Sequence, residues 1–475
     1  MKNKKKLNAI ALMFTASLLS ACSMVPPKEP KHITEMTTKQ LLAETKQVDN
    51  LAPNWWQQFN DPQLTQLIEL GLQQNLSLID VNNQLKLAKE QVSLAKTGNK
   101  PKVNLTASGG GIGGGTSFNP SDSDYSGLGM LLPSLSYQLD FWGKNKTSIE
   151  LASDKVLSTK AQQAQSRLLV SASIAQSYFV LQDNFDIEQT VTLLINEMES
   201  QNRVIESQIS RGLATDTALY QNNGELDNLK TELSAAKLAQ KLAKNQLALY
   251  LGKSPSQLGE LIAPNANTIK QLDSVKNIPM NLLARRPDVV ASQWMVEANG
   301  QNVALAKKAY YPDFNLMVMG LAQKLSNMNP ADLLLTGATV GTTLPIYDGG
   351  VRDSKYNTAN IQYDQAVNSY NQTVLNAVKQ TSDAIISLES AHQQQQLLIS
   401  STDKYHQAYQ ILDKRYRRGL ATYNEMNSAR LKWHQQLINK TKADSSVLQQ
   451  QLQLIVALGG GYQQPVPQQS SSKNQ

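Results

Sequence analysis

Cys22 is the single cysteine of the chain, and it directly follows Leu19-Ser20-Ala21. That order fits a bacterial lipobox. The small Ser20 and Ala21 suit a peptidase pocket, and the thiol of Cys22 can take a diacylglycerol. Acyl chains bury into lipid with about 0.8 kcal/mol per CH₂, and two or more chains anchor stably. A plain secretory signal with an incidental cysteine is the competing reading. One cysteine leaves no disulfide framework and no Cys-based metal site. The four histidines, His32, His392, His406 and His434, show no metal-ligand spacing, and no Gly-x-Ser-x-Gly elbow is present. The run Gly109-Gly110-Gly111-Ile112-Gly113-Gly114-Gly115 has the glycines of a phosphate-binding loop. It lacks Gly-Lys-Ser/Thr, however, and runs into Ser, Asn, Pro and Asp, not into a helix. It reads as a flexible cell-surface loop between strands. The sequence predicts no enzyme, and no cofactor beyond a covalent lipid on Cys22.

The compartment follows from the same end of the chain. Lys2, Lys4, Lys5 and Lys6 precede an apolar stretch, Leu7 to Leu19, of signal-peptide length. Residues 1–21 read as the signal and 22–54 as a lipidated tether rich in proline. Ser23 follows the cysteine, where an Asp would point to inner-membrane retention. The formal charge of +7 misleads, because four lysines lie in the signal; from Cys22 onward 41 basic residues face 38 acidic ones. That balance is no nucleic-acid footprint. No later run of about 18 apolar residues exists, so a membrane crossing would need β-strands.

The chain repeats itself once. Leu94-Ala95-Lys96 before Pro101 returns as Leu305-Ala306-Lys307 before Pro312, and Gly143 returns at Gly350. Arg211-Gly212-Leu213-Ala214-Thr215 returns as Arg418-Gly419-Leu420-Ala421-Thr422, and Leu251-Gly252 as Leu458-Gly459. Residues 144–211 and 351–418 contain neither glycine nor proline. Their sparse apolar seam predicts very long helices packed like coiled coils, each reaching about 100 Å if unbroken. The segments 213–251 and 420–458 return. Each repeat, 55–252 and 280–459, therefore holds a helical hairpin with its tip at 211–215 or 418–422. Gly suits the left-handed cap there, and Thr215 or Asp216, and Thr422, can cap the returning helix. Residues 253–279 connect the repeats, and 460–475 read as a disordered tail.

Four segments alternate with period 2 and predict strands, at about 103–111, 133–141, 314–322 and 336–347. The third is weaker, because Met317 and Met319 make both its faces apolar. Tyr137, Phe141 and Trp142 fit an interfacial girdle. Four strands cannot close a membrane barrel, since the smallest have eight. Strands must then be pooled between chains.

On these residues the chain resembles the outer membrane factors, in the OprM/NodT lipoprotein branch related to TolC. Trp55-Trp56-x-x-Phe59-x-Asp61-Pro62-x-Leu64 is similar to that branch's opening signature. Leu139-Asp140-Phe141-Trp142-Gly143 is similar to its strand-to-helix signature, and Leu283-Ala284-Arg285-Arg286-Pro287-Asp288-Val289 to its motif opening the second half. Leu344-Pro345-Ile346-Tyr347-Asp348-Gly349-Gly350 and Ala457-Leu458-Gly459-Gly460-Gly461 match as well. The resemblance covers roughly Pro53 to Tyr462. It implies a mainly α protein with a β-barrel part: a homotrimer sharing a twelve-stranded transmembrane barrel that continues into a periplasmic α-helical barrel. It also implies a passive exit duct for drugs and other toxic small molecules in the outer-membrane lipid. A periplasmic membrane-fusion adaptor and an inner-membrane efflux pump would drive export. Protein secretion by such a duct, or a pore-free periplasmic scaffold lipoprotein, are the alternatives.

Two tips with the same five residues point to a shared partner, against simple inheritance from the duplication. In the family the tips touch the adaptor and form the constriction that closes the duct. The resemblance carries a periplasmic gate onto Asp216, which with Thr215 matches the first tip, and onto Tyr416 with Arg417 beside it. It also reaches Glu425 and Ser428, where the family's channel carries two acids; only Glu425 keeps one. Three copies of Glu425 around the axis would repel one another, raise at least one apparent pKa and attract divalent cations. The competing reading has Glu425 favouring a helix N-terminus. Arg286-Pro287-Asp288 and the Asp140–Gly143 corner read as architecture.

Overall fold

The computed structural model describes residues 30–35, 52–114, 124–262, 285–325 and 333–463. Cys22, the signal, most of the tether, much of the 253–279 connection and all but the start of the tail lie outside the described residues. The chain divides into two compact units: residues 1–35, 85–159 and 292–370, and residues 36–84, 160–291 and 371–475.

The helices follow the duplication. α1 spans Pro62–Gln74 and α2 Leu76–Lys96; α3 spans Lys144–Ser210 and α4 Asp216–Tyr250. The second repeat gives α5 at Pro287–Lys308, α6 at Val351–Arg417 and α7 at Tyr423–Ala457. α3 and α6 have 67 residues each, and α4 and α7 have 35 each. None of the helices among the described residues is long and apolar enough to cross a membrane. The Trp-Trp signature is structural. Trp55, Trp56 and Phe59 sit in a 3-10 turn and are buried with Leu64, Ile68, Tyr178 and Phe179. Asp61 caps α1 by accepting the Leu64 N–H at 2.9 Å, and Tyr178 Oη donates to it at 2.7 Å. Burial and that carboxylate raise the pKa of the Tyr178 phenol.

The strands are β1 Lys102–Gly114, β2 Asp124–Leu139, β3 Asp313–Leu325 and β4 Leu333–Thr343, in one antiparallel sheet of order β1-β2-β3-β4. Two expectations are corrected. As far as Gly114 the glycine run is not a loop, since Gly109–Gly114 lies within β1, paired with Asp124–Gly129 of β2; ladder hydrogen bonds need only backbone, and Gly115 lies outside the described residues. The fourth strand stops at Thr343, short of 347, because Pro345 has no N–H to continue a ladder. Ile346 and Tyr347 beyond it are exposed. Pro133 has the same effect inside β2, where pairing with β3 lapses at Leu132 and Pro133.

Residues opposite one another in antiparallel strands share a face. One face carries Val103, Leu135, Val318 and Ala338 in a single row. The row beside it on one side holds Tyr137, Leu316 and Val340; on the other side lie Leu105, Pro133, Gly320 and Thr336, and beyond them Ala107, Leu131 and Ala322. The opposite face carries Lys102, Ser136, Met317 and Thr339, then Asn104, Ser134, Met319 and Gly337. Leu132, Leu321 and Leu335 lie farther along that face.

At the first strand-to-helix corner Gly143 adopts φ +67°. Asp140 accepts the Lys146 N–H at 3.1 Å and so caps the start of α3. Trp142 stacks on Tyr311 and donates to Pro312 O at 2.8 Å, and Lys144 pairs with Asp313 at 3.0 Å. Phe141 meets Phe314 edge to face. The corner of one repeat is therefore bolted to the strand start of the other.

Candidate functional site

The duplicated tips are two helix ends closed by the same bonds. Gly212 N–H donates to Ile209 O at 2.9 Å and Leu213 N–H to Gln208 O at 2.8 Å. At the second tip Gly419 N–H donates to Tyr416 O at 2.9 Å and Leu420 N–H to Arg415 O at 2.8 Å. This bond pair is a Schellman motif, which needs a left-handed residue; the glycines stand at φ +69° and +71°. Such motifs commonly add an apolar contact between the residue after the glycine and the one five positions earlier. Here the earlier residues are Gln208 and Arg415, so Leu213 and Leu420 find no apolar seat there. They remain 74% and 65% exposed. Arg211, Thr215, Asp216, Arg417, Arg418 and Thr422 are exposed around them, and Ala214 and Ala421 are half-buried.

The returning helices start differently. Thr422 accepts the Glu425 N–H at 3.3 Å, while Glu425 accepts the Thr422 N–H at 2.8 Å and its hydroxyl at 2.9 Å. This is a complete capping box. At the first tip Ala218 occupies the position of Glu425, and Thr215 makes no side-chain cap bond. Hydrogen bonds from Thr422 hold the Glu425 carboxyl below its ordinary pKa. Within one chain the shift thus runs opposite to that expected of a repelling acidic ring, because the cap stabilises the ionised form. Its contribution to helix stability is present at neutral pH and is lost as pH falls through that lowered value. Glu425 and Ser428 are both exposed.

Tyr416 links the two hairpins. Gln208 Nε2 lies 3.0 Å from its hydroxyl, and its ring meets Tyr423 at 6.1 Å. Arg417 pairs with Asp413 on its own helix at 2.9 Å. Farther from the tip, a buried polar set joins α3, α4, α6 and α7. Arg430, 1% exposed, donates to Asn222 at 2.8 Å and Asn427 at 2.6 Å. Asn222 donates to Asn202 at 2.7 Å and accepts from Tyr423 at 3.3 Å. Glu197 meets His434 Nε2 at 3.1 Å and accepts from Tyr409 at 3.2 Å. Burial alone would raise the Glu197 carboxyl; the His434 hydrogen bond and charge, with Arg430, bring it below the ordinary value. Burial and Glu197 push the Tyr409 phenol up to about 12. Sequence reasoning missed Gln208, Asn222, Arg430 and Glu197. The signal for them was polar side chains at seam positions of helices that otherwise bury alanine and leucine there.

Among the described residues no group of three His, Cys, Asp or Glu could hold a metal ion. The geometry offers an exposed apolar tip on each of two helical hairpins, and polar links between them.

The comparisons match this geometry. The family model described as outer membrane efflux protein matches residues 67–253 and 278–460. The multidrug resistance outer membrane protein MdtQ of Escherichia coli O6:H1 is 26% identical over 488 aligned residues, covering 96% of this chain and 98% of that protein. The cation efflux system protein CusC of the same organism is 25% identical over 463 residues, covering 94% and 98%. Among solved structures, the outer membrane protein VceC of Vibrio cholerae superposes with a TM-score of 0.78 at 26% identity, covering 87% of this chain and all of that one. The Campylobacter jejuni CmeC outer membrane channel superposes at 0.79, with 20% identity, over 93% and 95%, which attests the fold. Two matched segments with the boundaries of the duplication, on long helical hairpins and a four-stranded sheet, place this chain in the outer membrane efflux protein family.

Proposed function

We propose that the chain is the outer-membrane channel of a tripartite efflux system: a trimeric, passive exit duct for drugs and other toxic small molecules, with no catalytic activity of its own. A periplasmic adaptor would dock on the tips, and an inner-membrane pump would supply the drive. The observation that carries this reading is the two-faced sheet. Rows such as Val103, Leu135, Val318 and Ala338 form an apolar face for lipid, and the other face is largely polar, as in membrane barrels. β1 and β4 are edge strands, and exposed edges recruit further strands. Three copies give twelve strands and no edge. Exposed apolar residues at whole-turn spacing on α6, Leu375, Ile386, Leu397 and Ile411, fit a face covered by a neighbouring copy. Relatives named for multidrug resistance support small-molecule cargo.

Outer-membrane extracts should yield a heat-modifiable trimer that conducts ions in planar bilayers. Fatty-acid label should enter the wild type and not Cys22→Ala, which should still assemble, since a barrel is itself an anchor. A monomer without conductance would overturn the duct. Equal labelling of Cys22→Ala would overturn only the lipid anchor.

The acidic ring at Glu425 is a further part of the proposal, and it is separable from the cap. Glutamine also serves at this position of a capping box, so Glu425→Gln removes charge while keeping the helix start. Weaker block by periplasmic-side magnesium and lower cation selectivity are the expected results in bilayer recordings. Unchanged block and selectivity would leave Glu425 as a helix cap alone.

A further inference from the structure

β3 places two thioethers on the face opposite the apolar rows. Met317 shares its row with Lys102, Ser136 and Thr339; Met319 shares the next with Asn104, Ser134 and Gly337. Met319 is 48% exposed. The neighbours of the pair across the strands are short, and a Cβ added at Gly337 would meet nothing within 4 Å. Small residues and open space thus lie across the strands from both methionines. Apolar side chains on the water-facing side of a barrel depart from the usual polar interior. Leu132, Leu321 and Leu335 farther along show that leucine serves on this face, so a plain hydrophobe was available at 317 and 319.

Sulfur differs from leucine in chemistry. Thioethers are soft neutral donors that favour Cu(I) and Ag(I), whereas Mg²⁺ and Ca²⁺ require hard oxygen ligands. Residues two apart on a strand lie on one face with Cα atoms about 6.5–7 Å apart. Methionine's three flexible torsions then let both sulfurs reach one ion. Neither row contains a carboxylate, and its one formal charge is Lys102, two strands from Met317.

We propose that Met317 and Met319 form a binding site for a soft monovalent metal ion, Cu(I) or Ag(I), on the water-facing side of the sheet. The site rests on the barrel reading for its access to the lumen and is repeated in each copy. Two neutral ligands make it weak, which suits a duct: an ion must bind well enough to enter and loosely enough to leave.

The test uses the purified full-length trimer in chloride-free buffer with silver nitrate. Equilibrium dialysis should show one Ag⁺ per chain lost in the Met317→Leu/Met319→Leu variant. Leucine conserves volume and apolarity, so folding and any purely hydrophobic role should survive. In wild type carrying ¹³C-methyl methionine, the Met317 and Met319 signals should shift with Ag⁺ and not with Zn²⁺. Equal silver uptake by the variant, or no shift at these two signals, overturns the site. Face assignment is checked separately by labelling Ser134→Cys and Leu135→Cys with a membrane-impermeant maleimide. Labelling at 134 alone upholds the barrel face, and a negative silver result then counts against the metal site only. Equal labelling of both removes the barrel reading and the site with it.

Discussion

Replacing Gly212 and Gly419 together by valine should return a channel-deficient host to the drug susceptibility of the empty-vector control, while the trimer survives. Both glycines are left-handed. That conformation costs an L-residue about 1–2 kcal/mol, and a β-branched side chain tolerates it worst. No atom lies within 4 Å of an added Cβ at either position, so the cost is backbone strain and not a clash. α3 and α6 can relieve it by unwinding their last turn, which moves Leu213 and Leu420. A leucine side chain contributes about 1.5–3 kcal/mol when buried against a partner. In the proposed trimer, six displaced leucines would weaken docking of the proposed adaptor well beyond the tenfold that about 1.4 kcal/mol represents. Leu213→Ser with Leu420→Ser should reproduce the loss without backbone strain. Site-specific cross-linking to the adaptor and minimal inhibitory concentrations are the readouts. Persistence of both cross-links and resistance in the two double variants would show that the tips are turns and nothing more.

Much of this was legible in the chain. The absence of glycine and proline from 144–211 and 351–418 anticipated the span of α3 and α6, because proline breaks a helix interior and glycine weakens it. The doubled Arg-Gly-Leu-Ala-Thr marked both tips, because a Schellman end needs a glycine at one fixed place. What stayed hidden depends on pairing between distant residues. Period-2 alternation located the strands and set Met317 and Met319 opposite Leu316 and Val318, yet only the register gives their cross-strand neighbours and carries β1 through its glycines. Glu425 was recognised for its charge, while its bond to Thr422 depends on the cap geometry that Ala218 lacks at the first tip. The links Gln208–Tyr416 and Asn222–Arg430 join residues 208 positions apart in each case. No local pattern encodes them, although the near-constant repeat offset of 207 brings such partners side by side.

Arg286 should be the position where one substitution most damages the fold. It is 4% exposed and uses its whole fork. Nε and Nη2 donate to the two Asp288 oxygens at 3.1 and 2.8 Å, Nη2 also to Gln380 at 2.8 Å, and Nη1 to Ala457 O at 2.9 Å. The last bond caps the C-terminus of α7, where Gly459 turns back at φ +84° and an added Cβ would stand 3.1 Å from Arg286 Cα. Pro287 opens α5 beside it, its missing N–H harmless in a first turn. The Arg-Pro-Asp motif therefore joins the start of the second repeat to its end. Arg286→Leu leaves the part-exposed Asp288 carboxylate without its cation and the Ala457 carbonyl with the Thr381 hydroxyl alone; breaking a fully buried pair costs about 3–5 kcal/mol, and the lower part of that range is expected here. Arg286→Lys should rescue little, because an ammonium cannot span the same acceptors. Arg286→Leu combined with Asp288→Leu should recover part of the loss, since no lone charge remains. Thermal unfolding of the purified protein and the yield of heat-modifiable trimer measure this ordering. A lysine variant as stable as wild type would reduce Arg286 to a simple positive charge, and a double variant no better than Arg286→Leu would move the main cost to the lost Ala457 cap.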